Sequence, residues 1–236
     1  MSGNSGTKII TDGLVLCLDS TNIKSWREDR NTVRTGTWYD ISLGGDNNCT
    51  GSILDAPNLI PDPPDSDTGL GFYFDGITDE FTEINAGSET DIFGDVTVEA
   101  WFKPFLVGSY AKIFGKGAAS RQYGLWFRTN EFLYQRIGGG IPMNCSYNAT
   151  VDFLWYHMVG TSKGTNEHFL YLNGVQVASS ATAVTTVTST DKYTIARHTT
   201  GNYCNAMITN IKLYNRALSA EEVLQNFNAH RGRFRI

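Results

Sequence analysis

The sequence has few charged residues and no excess of positive ones. Charged residues make up 18% of the 236 positions, with 19 Lys and Arg against 24 Asp and Glu, which gives a formal net charge of −5. A nucleic-acid-binding surface needs basic residues to neutralise phosphates, so this balance disfavours a nucleic-acid partner. No apolar run approaches the roughly 18 residues that span a bilayer as a helix, and membrane insertion is therefore not predicted.

The chain also shows no secretion leader and no cysteine motif. The opening stretch, MSGNSGTKIITDGL, has no apolar core of signal-peptide length, so we expect synthesis in the cytoplasm without general secretion. The cysteines Cys17, Cys49, Cys145 and Cys204 lack C-x-x-C spacing and are predicted to be thiols. Cys17 and Cys204 fall in the first and last strand candidates, which leaves a bonded pair open as an alternative.

Signatures of nucleophilic and phosphate chemistry are missing as well. The four histidines have no G-x-S-x-G nucleophile elbow to serve, and His157 lies inside an apolar strand candidate, where a structural role is the simpler interpretation. The stretch FGKGAAS does not have P-loop spacing. These absences disfavour acyl-transfer and nucleotide-dependent enzymes.

Alternating apolar residues dominate what is present. DVTVEAWFKP places Val96, Val98, Ala100 and Phe102 on one face of a strand. In YLNGVQV, Asn173-Gly174 predicts a tight hairpin, because a type I′ turn needs positive φ at both central residues. Strand-like runs recur about every 8–14 residues, and no linker or repeat is visible. The pattern predicts one all-β domain over residues 1–236, a sandwich of two antiparallel sheets.

One stretch near the C-terminus has a helical period instead. Ser219 and Glu222 have the spacing of a capping box at a helix start. Val223, Leu224 and Phe227 then form an apolar stripe. A helix of this length is marginal alone, so we expect it to dock on a sheet.

The closing residues, 228–236, form a basic tail on an acidic protein. Arg231, Arg233 and Arg235 alternate with Phe234 and Ile236. Two interpretations stand side by side. The tail is a frayed end or a last strand of the same sheet, or it is an attachment segment that adds to the sheet edge of a neighbouring subunit.

The order of segments resembles a known family. GLVLCLDSTNIKSW, WYDIS, FYFDGITDEFTEI, VTVEAWFKP, WYHMVGTSKGTNEHFLYLNGVQVAS and NIKLYNRALSAEEVLQNFN follow the order found in the laminin G-like group of the concanavalin A-like lectin/glucanase superfamily. The resemblance implies a concanavalin A-like jelly-roll sandwich with one short C-terminal helix. The final QNFNAHRGRFRI is similar to the ends of such domains in tailed-phage structural proteins.

Glycosidases of that superfamily carry an E-x-D-x-x-E strand, which this sequence lacks. Glu99 stands alone on its strand face, and Asp79 and Glu83 lie about 13 Å apart along a strand. Glu89 and Asp91 fall in a polar turn. Retaining hydrolysis needs two carboxyl groups about 5–5.5 Å apart, so we predict that the protein is not an enzyme.

Relatives in this group often hold calcium at a loop rim, and the resemblance makes calcium an open alternative to no cofactor. The candidate ligands are Asp75 and Asp79, or else Asp62, Asp65 and Asp67 in a Pro-rich loop.

A sugar site needs an aromatic ring beside hydrogen-bonding groups on an accessible surface. Trp26 and Tyr147 lie in polar segments, so they are the aromatic residues predicted to be exposed and to bind a ligand.

These observations favour a phage virion protein, such as a capsid-decorating or fibre-type subunit that presents a lectin-like sandwich on the particle exterior. Its expected partners are other virion subunits, with homo-oligomers and surface glycans also predicted. A carbohydrate-binding or adhesion module is the alternative, and a glycoside hydrolase is a weaker one.

Overall fold

Ten stretches of the chain define the fold. The computed structural model describes residues 7–26, 36–51, 58–61, 70–84, 89–106, 110–117, 122–138, 141–185, 191–198 and 202–236. Within these ranges no helix is long and apolar enough to cross a membrane.

The described residues are mostly strand, with a helical segment at the end. The elements are β1 (Leu14–Asp19), β2 (Thr37–Trp38), β3 (Cys49–Thr50), β4 (Asn58–Pro61), β5 (Leu70–Asp75), β6 (Phe81–Glu83), β7 (Val96–Pro104), β8 (Ala111–Lys116), β9 (Tyr123–Arg128), β10 (Glu131–Gly138), β11 (Ile141–Tyr147), β12 (Tyr156–Lys163), β13 (Glu167–Leu172), β14 (Val175–Ser180), β15 (Tyr193–Ile195), β16 (Asn205–Tyr214), α1 (Ala220–His230) and a 3₁₀ turn, Arg231–Arg233.

The strands form two antiparallel sheets, which confirms the predicted all-β sandwich. In the first sheet the order is β14-β13-β12-β7-β16-β5-β4, and β1 also pairs with β16. In the second sheet the order is β11-β10-β9-β8-β15-β6-β3-β2. We name the first the helix-covered sheet, because α1 packs on its outer face, and the second the grooved sheet.

The core lies between the sheets and follows from alternation. Val96, Val98, Ala100 and Phe102 are all fully buried on the inner face of β7, as predicted. The predicted hairpin at Asn173-Gly174 is also confirmed, with φ values of 49° and 79° that match a primed turn.

Trp26 belongs to this core, so the prediction that it is exposed is wrong. Its side chain is 4% exposed, and its ring meets Phe72 edge-on at 4.7 Å between centroids. Trp38 and Phe81 complete the aromatic cluster. The polar neighbours of Trp26 misled the prediction, because burying one large ring outweighs the solvation of a few adjacent residues.

The helix start is the predicted capping box. Ser219 Oγ accepts the Glu222 N–H, and Glu222 Oε2 accepts the Ser219 N–H. The docked face differs from the predicted stripe: Val223 and Phe227 are buried, whereas Leu224 is exposed and Asn226 is fully buried in its place. A polar partner beneath the helix explains the difference, as shown below.

The basic tail folds back onto the domain and does not form the strand that was one interpretation of it, whereas its role in attachment stays a prediction. Residues Arg231–Arg233 form a 3₁₀ turn that continues α1. Phe234 is buried, with its ring stacked on Trp101 at 4.2 Å between centroids. Arg233 turns inward and donates to Asp19 at 2.7 Å. Stacking and ion pairing on the parent domain therefore outweigh an extended conformation.

All four cysteines are buried free thiols, and Cys17 and Cys204 are not bonded to each other. Burial raises the pKa of the Cys17 and Cys145 thiols to about 12. These cysteines therefore pack as small hydrophobic residues.

Candidate functional site

A groove opens on the outer face of the grooved sheet. It has a volume of about 230 Å³ and is lined by Tyr110, Trp126, Leu133, Gln135, Asn144, His198 and Asn202. Strands β9, β10 and β11 supply the central residues, and the segments before β8 and after β15 close its sides. The volume lies below the roughly 300 Å³ lower bound for pockets of drug-sized ligands, so it suits a small ligand or the end of a longer one.

The floor follows from the alternation of two paired strands. In β9, Leu125 and Phe127 point into the core, which turns Trp126 outward. Its direct cross-strand partner in β10 is Leu133, and its partner in β8 is Lys112. An indole and a leucine side by side give the groove an apolar base.

An imidazole ring and an ammonium group flank the indole of Trp126. The His198 ring meets the Trp126 ring edge-on at 5.1 Å, and Lys112 Nζ lies 5.8 Å from the Trp126 ring centre. Lys112 Nζ also donates to Thr194 Oγ1 at 3.0 Å. A glycine makes this packing fit: a Cβ on Gly124 would lie 2.8 Å from Trp126 Nε1.

Amide side chains form one wall. Gln135 and Asn144 are direct cross-strand partners, and Gln135 Nε2 donates to Asn144 Oδ1 at 2.7 Å. Asn144 and Asn202 are exposed. Each amide offers both donors and an acceptor, which matches the hydroxyl groups of a sugar.

The mouth of the groove is held by a small charged cluster. Tyr110 OH donates to Glu131 Oε2 at 3.0 Å, and Arg128 Nε lies 2.7 Å from the same oxygen. The Arg128 guanidinium also lies over the Tyr110 ring at 4.5 Å. Partial burial and the adjacent Glu131 carboxylate raise the pKa of the Tyr110 hydroxyl, so it remains a donor.

None of the described residues that line the groove is a carboxylic acid. Glycoside hydrolysis by the usual route needs two carboxyl groups on either side of the scissile bond. The lining therefore supplies apolar contact and hydrogen bonds, which are the elements of binding.

The sequence suggested that Glu99 stands alone on its strand face. In the structure it has three polar partners. Glu99 Oε1 accepts from Lys212 Nζ at 2.6 Å and lies 3.2 Å from His157 Nε2, while Asn226 Nδ2 of α1 donates to Oε2 at 2.7 Å. Lys212 and His157 together hold the pKa of Glu99 well below its usual range, despite burial. The cluster is sealed under the helix and fully buried, so no substrate reaches it. It also explains why the helix buries Asn226.

Glu89 and Asp91 line a second cavity, of about 520 Å³, at the other end of the domain. Asp91 Oδ1 lies 3.0 Å from the buried Lys116 Nζ, and Glu89 Oε2 accepts from Asn47 Nδ2 at 3.2 Å. Both carboxylates take part in local bonds that hold the surrounding loops.

The calcium candidates occupy a tight turn after β5. Asp75 Oδ1 accepts the N–H groups of Ile77, Thr78 and Asp79, and Asp79 Oδ2 accepts the Asp75 N–H at 2.9 Å. These backbone bonds lower the pKa of Asp75. No group of three or more His, Cys, Asp or Glu residues suited to a metal occurs in the described part of the chain. Asp62, Asp65 and Asp67 lie outside the described residues, and the calcium hypothesis stays a prediction.

Tyr147 is exposed, as predicted, but it does not line the groove. The groove residues themselves were not singled out from the sequence. The sequence does contain a signal for them. In QYGLWFRT and EFLYQRI, strand alternation places Trp126, Leu133 and Gln135 on the face opposite to the one that carries the most apolar residues. Their convergence depends on the pairing of β9, β10 and β11, which single-strand patterns do not specify.

Comparison with solved structures shows the same fold in proteins of low sequence identity. A Trypanosoma rangeli sialidase in complex with the inhibitor DANA aligns with a TM-score of 0.65 and 16% identity, over 93% of this chain and 33% of that one. The binding domain of Paraclostridial Mosquitocidal Protein 1 aligns with a TM-score of 0.67 and 14% identity, over 92% of this chain and 52% of that one. The binding domain of botulinum neurotoxin DC in complex with SialylT aligns with a TM-score of 0.63 and 13% identity, over 93% of this chain and 52% of that one.

The chain spans about a third to a half of the length of these structures, which include an enzyme and binding domains alike. No curated protein sequence matches the chain. A family model does match: a laminin G model described as concanavalin A-like lectin/glucanases superfamily covers residues 67–224. With two sheets, a capped C-terminal helix and this match, the chain belongs to the laminin G-like group of the concanavalin A-like lectin/glucanases superfamily.

Proposed function

We propose that this protein is a non-catalytic carbohydrate-binding module that holds the end of a glycan in the groove around Trp126. The observation that carries the proposal is the composition of the groove, an apolar base of Trp126 and Leu133 beside the amides of Gln135, Asn144 and Asn202. A pyranose has an apolar face and a rim of hydroxyl groups, so it matches both surfaces.

The comparisons support the choice of ligand class. The botulinum neurotoxin DC binding domain was solved with SialylT, and the Trypanosoma rangeli sialidase with DANA. Those ligands belong to those proteins. Because of these ligands, sialylated oligosaccharides are the first probes for this chain, and neutral oligosaccharides serve for comparison.

The test combines a glycan array with titration calorimetry. The array identifies the best oligosaccharide, and calorimetry compares wild type with Gln135→Ala and Asn144→Ala. Each substitution removes hydrogen bonds from the wall, so we expect a loss of affinity of about tenfold. Asn148→Ala is the matched control, because Asn148 is an exposed amide outside the groove lining. Unchanged affinity in both groove variants, or no glycan binding by wild type, would refute the proposal.

Absence of catalysis is tested on the same glycans. Incubation of wild type with the best array ligand should leave it intact by mass spectrometry, since the groove lining holds no carboxyl pair. Release of a sugar that stops in the Asn144→Ala variant would show turnover in the groove.

We further propose the narrower role of an exterior subunit of a phage particle, as a capsid-decorating or fibre-type homo-oligomer. The resemblance of QNFNAHRGRFRI to the ends of phage structural proteins supports it. Residues Arg231–Arg233 form a 3₁₀ turn, so the proposal rests on this resemblance and not on an extended tail. Mass spectrometry of purified particles is the test, and absence of the protein from them would end the hypothesis.

A further inference from the structure

The groove around Trp126 has a lining without formal charges. The described residues that line it are one tryptophan, one tyrosine, one leucine, one histidine and three amides, and none of them is Lys, Arg, Asp or Glu. The segments next to Tyr110 and Asn202 in the chain, 107–109 and 199–201, contain no ionisable side chain in the sequence. A formal charge that meets a ligand would therefore have to come from side chains beside the lining.

Lys112 is a cation next to the floor of the groove, but its ammonium group is covered. The residue is the cross-strand partner of Trp126, and its Nζ lies 5.8 Å from the centre of the indole ring. It is 1% exposed, and Nζ donates to Thr194 Oγ1 at 3.0 Å. A Cβ on Gly115 would lie 3.0 Å from Lys112 Cε, so the stem of the side chain runs close over the sheet. The ammonium group is therefore held against β15, where a ligand in the groove does not reach it.

Two arginines beside the groove are each paired with a glutamate. At the mouth of the groove, Arg128 Nε lies 2.7 Å from Glu131 Oε2. Next to His198 in the chain, Arg197 Nη1 donates to both carboxylate oxygens of Glu80 at 2.7 Å. Each pair carries no net charge, so neither arginine offers its full charge to an anionic ligand.

We propose that the groove binds an uncharged glycan end and discriminates against ends that carry a carboxylate or a sulfate. This inference rests on the proposed function, because it names the class of glycan for the same groove. An anionic group that loses water in the groove would find no counter-charge there, and an unpaired buried charge is costly. The hydroxyl groups of a neutral sugar are instead matched by the amide side chains, which both donate and accept hydrogen bonds.

The charge of the whole chain acts in the same direction. The sequence has 24 Asp and Glu against 19 Lys and Arg, and its formal net charge is −5. The field of an acidic protein disfavours the approach of an anionic glycan, whereas a neutral glycan does not experience this repulsion. Because no ion pair forms with a neutral ligand, its affinity should depend little on the salt concentration.

A glycan array of matched neutral and anionic ends tests the inference with the full chain. The array carries mannose, glucose, galactose and N-acetylglucosamine ends, each also as its sulfate ester, and galactose also with a terminal sialic acid. The measurements are made at about pH 8, where an ordinary histidine is neutral. We expect the strongest binding from a neutral end, and calorimetry should give its anionic counterpart an affinity at least about tenfold lower. The affinity for the neutral end should change less than about twofold between about 0.05 M and about 0.5 M salt.

Glu131→Gln tests the charge argument directly. The substitution removes the counter-charge of Arg128, whose side chain is 45% exposed, and it keeps an acceptor for the Tyr110 hydroxyl. The ratio of the affinity for the sulfated end to that for the neutral end should rise at least about fivefold, because a cation becomes available at the mouth. Glu167→Gln is the matched control, since it makes the same change at an exposed position of β13, in the other sheet, and should leave the ratio unchanged.

Asn202→Lys provides a second variant, because it places a cation on the lining at an exposed position and should raise the same ratio. The outcomes separate this inference from the proposed function. No glycan binding by wild type would refute the proposed function itself. Binding of an anionic end as tightly as its neutral counterpart, or more tightly, would overturn the inference and leave the proposed function standing. An unchanged ratio in both Glu131→Gln and Asn202→Lys would also overturn it, since charge at the groove would then not select the ligand.

Discussion

At the scale of single residues, the carboxylate of Glu99 joins its own strand β7 to three other elements, β12, β16 and α1. Its partners Lys212 and His157 lie on the two strands that flank β7, and its third partner, Asn226, lies on α1. An ion in the interior is stable only when its charge and hydrogen bonds are all matched. Glu99 therefore helps to specify both which strands pair with β7 and where α1 packs on the sheet.

Glu99→Gln should lower the free energy of unfolding by about 3–5 kcal/mol, because it leaves the ammonium group of Lys212 buried without its counter-charge. Urea unfolding at pH 7.5 measures the change. Glu167→Gln, at an exposed position of β13, should stay within about 0.5 kcal/mol of wild type. A loss below about 1 kcal/mol for Glu99→Gln would show that Lys212 finds another partner.

Buried histidines predict a pH dependence with a definite sign. Burial lowers the pKa of His157 from its usual 6.5 and that of His230 to about 3, so the folded protein binds these protons more weakly than the unfolded chain does. The unfolded chain takes up these protons below about pH 6.5. Stability is therefore full above that pH and falls as the pH drops toward the folded-state pKa values, by at most about 1.4 kcal/mol per pH unit for each histidine.

Urea unfolding between pH 7.5 and 5.5 tests this, since that window lies above the titration of most carboxyl groups. His157→Gln should reduce the slope of stability against pH, whatever its effect at pH 7.5. A slope equal to that of wild type would mean that the pKa of His157 is the same in the folded and unfolded states.

At the scale of elements, the sequence predicts what is locally encoded and misses what depends on pairing. The Asn173-Gly174 hairpin, the capping box and the alternation of β7 depend on neighbouring residues, and all three were found. The exposure of Trp26 and the strand-like conformation of the tail were predicted wrongly. In both cases the deciding contacts, with Phe72 and with Trp101, come from distant parts of the chain.

The groove shows the same limit. Alternation places Trp126 and Gln135 outward, but their approach to His198 and Asn144 depends on the order of β8 to β11 and β15 in one sheet. Strand order is set by the fit of the whole core, and a single sequence carries no local record of it.

Ser219→Ala tests the contribution of the helix cap. The substitution removes the acceptor for the Glu222 N–H, and we expect a loss of about 1 kcal/mol in the free energy of unfolding. Ser219→Thr keeps a hydroxyl at the cap and should retain most of the stability. If both variants unfold like wild type, the Glu222–Arg216 ion pair alone holds the helix start.

At the scale of the whole molecule, the two sheets share a core but have different outer faces. Helix α1 and the 3₁₀ turn cover the first sheet, burying Trp101, Phe227 and Phe234. The outer face of the second sheet keeps the groove open. The covered side gives rigidity and the open side gives access, a division that suits recognition by a stable scaffold.

A shared core also predicts cooperative unfolding, which the thiols report. Cys17 lies in the helix-covered sheet, Cys49 and Cys145 lie in the grooved sheet, and Cys204 precedes β16. Burial raises the pKa of all four, so the reactive thiolate is scarce and inaccessible in the folded state. Native protein should not react with DTNB, and all four thiols should become reactive at one urea concentration, the midpoint seen by fluorescence. Cys145→Ser provides the control, with three reactive thiols at full unfolding. Reaction of Cys145 at lower urea than the others would show that the β10–β11 edge opens separately, and the two sheets would then not unfold as one unit.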